Sequence, residues 1–77
     1  MGTRILTVED DERIRTAVRL ALEDEGWIVE EAENGKAALE LLGAEEFDLM
    51  ILDYRLPDET GLQILQRVRQ SMPEITV

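Results

Sequence analysis

Short apolar runs alternate along this chain with stretches of helical period. Ile5 to Val8 is mostly apolar and partly β-branched, and it runs into Glu9, Asp10, Asp11 and Glu12. That pattern predicts a strand giving way to an acidic turn. The period then changes. Ile14, Ala17, Val18, Ala21 and Leu22 recur at three- and four-residue spacing, while Arg13, Arg15, Arg19 and Glu23 fall outside the stripe. An amphipathic helix is expected there, stopping at Gly26, with an acidic first turn that suits the positive end of its dipole. Trp27 to Ala32 reads as a second, weaker strand, and Glu30 and Glu31 place it at a sheet edge. Asn34 is positioned to cap a second helix whose apolar face is Ala38, Leu41 and Leu42, with Gly43 as its stop. Leu49 to Leu52 is apolar at every residue, as in a strand covered by helices on both faces. Thr60 and Gln63 have the spacing of a capping box, and Ile64, Leu65, Val68 and Met72 supply the buried stripe of a third helix. Arg67 and Arg69 sit near its negative end, and Pro73 terminates it. Ile75, Thr76 and Val77 begin a fourth strand.

Strand and helix therefore alternate three times before the last partial strand. Alternation of this kind predicts an α/β domain with a parallel sheet and right-handed crossovers. In the flavodoxin-like arrangement the strand order is 2-1-3-4-5, and ligands bind where the winding reverses, between the carboxyl ends of strands one and three.

Composition narrows the class without changing the fold. At 77 residues the chain is at most one small domain, burying only roughly 60% of its unfolded surface. Eight basic residues against eighteen acidic ones leave a formal charge of −10, which would repel phosphate backbones, so direct nucleic-acid binding by this segment is not expected. Cysteine is absent. No run has the length of a membrane span or the form of a signal peptide, and the opening residues lack the Ser or Thr of a myristoylation signal. A soluble cytoplasmic protein is the expectation.

The acids carry the candidate chemistry. Strand one ends in Glu9 and Asp10, and strand three ends in Asp53. Neighbouring strands lie roughly 4.8 Å apart, so in the order 2-1-3 these carboxylates converge and repel by about 1 to 4 kcal/mol per pair. A divalent cation is the simplest remedy. Oxygen ligands in a water-exposed site suit magnesium, which keeps several waters and commonly bridges to a phosphate. With a phosphoryl donor present, Asp53 could attack phosphorus and form an acyl phosphate.

Val8-Glu9-Asp10-Asp11 after an apolar strand, Arg15 five residues beyond Asp10, the apolar strand into Asp53, then Leu56-Pro57 and Gly61 resemble the receiver domain of bacterial two-component response regulators. The resemblance covers all 77 residues. It implies a CheY-like fold of order 2-1-3-(4), truncated before strand five, and a domain over 1–77 that is incomplete at its carboxyl end. It also implies a phospho-acceptor at Asp53 and a Mg2+ ion held by Asp10, Glu9, Asp53 and the backbone carbonyl of Arg55. Pro57 and Gly61 would shape the loop after strand three, and a sensor histidine kinase would be the phosphoryl donor. Leu56 stands where methionine is more usual, a change that conserves volume. The Ser or Thr after strand four and the Lys after strand five, which complete the family's site, are not in this sequence. An output domain in the parent protein is compatible with all of this.

Blander readings apply to single features. Acids at a helix start stabilise it without binding anything, and an Asp after a strand often caps a turn. Trp27 is expected to be a packing anchor. Asn34-Gly35-Lys36 resembles the end of a phosphate-binding loop but lacks the upstream Gly and the hydroxyl after Lys, so it is rejected. Two alternatives to the phospho-switch stay open. One is a receiver-like interaction or dimerisation module that is never phosphorylated. The other is a metal-dependent phosphatase with an aspartate nucleophile, disfavoured because Arg55 occupies the place of its second acid. The uncovered edge of strand three is expected to promote dimerisation or segment exchange, through that strand or through Ile75 to Val77.

Overall fold

The structure is a computed structural model and describes residues 2–52 and 61–71. Within them the order is β1 (Arg4–Val8), α1 (Glu12–Asp24), β2 (Ile28–Ala32), α2 (Gly35–Ala44), β3 (Leu49–Leu52) and α3 (Gly61–Ser71). The three strands form a parallel sheet in the order β2-β1-β3, with β1 in the centre. This is the α/β, flavodoxin-like arrangement expected from the alternation. The Thr60 half of the capping box, Met72, Pro73 and the fourth strand at Ile75 to Val77 lie outside the described residues.

Side-chain alternation along β1 separates two layers. Leu6 and Val8 point into a core with Ala32, Ala38, Leu42, Met50, Ile64 and Val68, roofed by α2 and α3. Ile5 and Thr7 are buried on the other face, where α1 packs on β1 and β2. Residues paired across a parallel ladder share a face, so Thr7, Glu31 and Ile51 form one row beneath the α1 side.

That second layer is only partly roofed, which corrects two expectations. None of the α1 stripe is buried: Ile14 is 51% exposed, Ala17 and Ala21 are exposed, and Val18 and Leu22 are half-buried. Likewise β3 is not covered on both faces. Met50 is buried on the α2–α3 side, whereas Ile51 on the α1 side is 37% exposed. The reason is placement, because α1 stands over β1 and β2 and leaves the β3 margin of its layer open among the described residues. Trp27, expected as a packing anchor, is not buried. It precedes β2 and is 39% exposed.

The helix ends follow local rules. Asp11 caps α1, its carboxylate accepting the N–H of Arg13 at 2.9 Å and of Ile14 at 3.4 Å. At the other end Gly26 takes φ 87°. Its N–H donates to the Glu23 carbonyl, and the Trp27 N–H to that of Leu22, a Schellman closure that requires a left-handed residue. Asn34 caps α2 through the Ala37 N–H at 2.8 Å, as expected. Gly43 does not stop that helix. The chain continues to Ala44 and turns away at Glu45, which is extended at φ −137° and whose carboxylate is paired with the Arg4 guanidinium.

Candidate functional site at the carboxyl end of the sheet

Register decides which strand exits meet. At the amino end of the sheet Arg4 and Asp48 lock β1 to the start of β3. The Arg4 N–H donates to Asp48 Oδ2 at 2.9 Å, and the Asp48 N–H donates to the Arg4 carbonyl at 2.8 Å. The Arg4 guanidinium also lies over the Phe47 ring, 5.5 Å from its centre. From that anchor the ladder runs Ile5 opposite Leu49, Leu6 opposite Met50, Thr7 opposite Ile51 and Val8 opposite Leu52. Both strands therefore leave the sheet at one level, and Glu9 and Asp53 are the next residues in the chain after the last pair.

The turn after β1 is held on several sides. Its first residue, Glu9, is half-buried, with its N–H donating to the Ala32 carbonyl at the end of β2, 3.0 Å away. The Glu9 side chain folds back, and Oε1 accepts the Asp11 N–H at 3.2 Å. Its carbonyl accepts Nη1 of Arg15 at 2.9 Å. Asp10 is exposed. Asp11 is committed to the helix cap, and the Arg13 N–H bond holds its carboxyl below the usual value, with the Arg13 guanidinium beside it acting the same way.

Of the residues expected to form the site, Glu9 and Asp10 are thus brought to the carboxyl end of β1, at the switch point of the sheet. Gly61 is the first residue of α3. Asp53, Arg55 and Pro57 lie outside the described residues. Among the described residues no group of three acids converges on a point where a metal could sit. The donors present, two adjacent carboxylates at the open end of the sheet, are hard oxygen ligands that fit Mg2+.

Sequence reasoning used Arg15 only as a mark of the motif and gave neither it nor Arg19 a partner. Arg15 and Arg19 fall outside the apolar stripe of α1, yet they are not simply solvated. Arg15 Nε lies 3.3 Å from Glu31 Oε1, and Arg19 Nε lies 3.0 Å from Glu31 Oε2. Arg19 also reaches Glu23 at 3.1 Å. The available signal was a pair of arginines four apart on a helix following a strand, with an acid on the next strand. Only the ladder register places Glu31 beneath them.

Over residues 5–77 the chain matches the response regulator receiver domain, and it belongs to that family. Across 68 residues it is 43% identical to the transcriptional regulatory protein TrcR of Mycobacterium tuberculosis, covering 88% of this chain and 26% of that protein. The receiver domain protein (CheY-like) from Methanospirillum hungatei superposes with a TM-score of 0.95 at 33% identity, over 97% of this chain and 60% of that one. Response regulator TrrA from Thermotoga maritima, solved in complex with Mg(2+)-BeF, gives a TM-score of 0.89 at 35% identity, over 92% of this chain and 62% of that one. TrrA has also been solved in complex with the histidine kinase ThkA, where the TM-score is 0.90. The chain spans about a third or less of the curated relatives it matches and about three fifths of these solved chains.

Proposed function

We propose that this chain is a phospho-accepting switch, in which Asp53 takes a phosphoryl group from the phosphohistidine of a sensor histidine kinase. The observation that carries this is the pairing of Val8 with Leu52, which brings the exits of β1 and β3 side by side. Support also comes from the neighbour TrrA, solved with Mg(2+)-BeF and with a histidine kinase. Asp10, Glu9, Asp53 and the Arg55 carbonyl would hold Mg2+, with Pro57 and Gly61 shaping the loop between Asp53 and α3. When bound, the ion supplies positive charge that offsets the carboxylates and the phosphoryl oxygens.

The chain's own part is placement. An Asp53 oxygen attacks phosphorus in line with the histidine nitrogen. The new O–P bond forms as the P–N bond breaks, and the imidazole leaves with the electron pair. Because the donor carries the activated bond, the receiver acts as an acceptor rather than as an enzyme. A cytoplasmic setting and an output domain in the parent protein belong to the same proposal. So does self-association of the 77-residue chain through β3.

Acetyl phosphate plus Mg2+, followed by intact mass, tests the reading. One phosphoryl group is expected on the wild-type chain, none on Asp53→Asn, and none after chelation of the metal. A parent protein that takes up no phosphate under these conditions would point to the unphosphorylated interaction module. Steady turnover of a phosphate monoester would instead point to the phosphatase.

A further inference from the structure

Arg15 joins three elements at one point. It sits on the first turns of α1, its side chain is only 15% exposed, and it reaches the end of β1 through the Glu9 carbonyl and β2 through the Glu31 carboxylate. Both backbone groups of Glu9 are thereby held, since its N–H already donates to the Ala32 carbonyl. A carbonyl held by a guanidinium fixes the plane of the Glu9–Asp10 peptide, and with it the direction in which the Asp10 side chain leaves the backbone. Asp10 itself is exposed. Its aim depends on the backbone beneath it.

We infer that Arg15 is a positioning residue of the acidic site, holding the Glu9–Asp10 peptide so that Asp10 faces the cation, with Glu31 as the brace that keeps the guanidinium in place. The inference rests on the proposed Mg2+ site and adds to it a residue that touches neither metal nor phosphate. Geometry favours Arg over Lys here. One planar guanidinium spans a carbonyl on one side and a carboxylate on the other, which a single ammonium on a flexible stem cannot do with the same angles. Arg19 serves as the internal control, because it reaches the same Glu31 carboxylate but has no contact with Glu9 among the described bonds.

The test is Mg2+ affinity measured by titration of the chain followed by amide NMR shifts, with thermal unfolding of each variant recorded without metal. Arg15→Gln is expected to weaken Mg2+ binding by about tenfold, the lower end of what removing a residue that orients a metal ligand costs. Arg15→Lys is expected to weaken it nearly as much, and Glu31→Gln by less. Arg19→Gln should leave affinity within about twofold of wild type even where its melting temperature falls as far as that of Arg15→Lys. If Arg15→Gln and Arg15→Lys fold and bind Mg2+ as wild type does, the inference is wrong while the site stands. Equal losses for the Arg15 and Arg19 variants would reduce Arg15 to a general stabiliser and overturn it too. A wild-type chain that binds no Mg2+, with Asp10→Asn giving an unchanged titration, would remove the site itself and the inference with it.

Discussion

Three successive residues at the mouth of the site have three different environments. Glu9 is folded against the turn, Asp10 is open to water, and Asp11 is bound into the cap of α1. The acidic run was visible in the sequence, but it assigns no partner to any one of them. Capping sets a pH dependence for Asp11. Its carboxyl is held below the usual value chiefly by the Arg13 N–H, so the cap's contribution is fully present above the unfolded value of about 3.9. It is lost as the pH falls through the lower folded value. Protection of the Arg13 and Ile14 amides relative to their intrinsic exchange should therefore fall on acidification below about pH 4, and Asp11→Ala should show low protection at neutral pH as well. Exchange that is the same in both proteins at pH 7 would show that Asp11 does not hold the turn.

At the scale of the element, two glycines that look alike in sequence do opposite things. Gly26 sits at φ 87° in the closure of α1, where an added Cβ strains the backbone whatever the space around it. Gly43 lies inside α2, and a Cβ built on it meets nothing within 4 Å. We expect Gly26→Ala to destabilise the fold by about 1 kcal/mol and Gly43→Ala to stabilise it by roughly 0.5–1 kcal/mol. Urea midpoints with unchanged slopes would read both effects. Midpoints that shift in the same direction would contradict the assignment. The start of α2 was legible because Asn34 acts on its own next turn. The end of α2 was not, because Glu45 leaves the helix in a contact with Arg4, a residue on β1.

At the scale of the whole molecule, the described residues form one well-roofed layer and one more open one. Leu6, Val8, Met50, Ile64 and Val68 close the α2–α3 side, while Ile14 and Ile51 remain exposed on the α1 side. Exposed apolar surface of this kind favours association, and the net charge of −10 opposes it. Sedimentation is expected to show concentration-dependent self-association of the 77-residue chain, stronger at high salt where the charge is screened. Ile51→Lys should weaken it. A stably folded monomer across dilution, with or without salt, would contradict this expectation.

By itself the sequence determined the alternation of strand and helix, the edge position of β2, the cap at Asn34 and the acids at the exits of strands one and three. All of these follow from neighbours along the chain or from side-chain period. Tertiary structure alone decided that Arg15 grips the Glu9 carbonyl, that Glu31 lies under two arginines, and that α1 leaves Ile51 open. The place of Glu31 depends on register between strands, where one residue of slip would exchange the two faces of the sheet, and the other two depend on where α1 lies over β1 and β2.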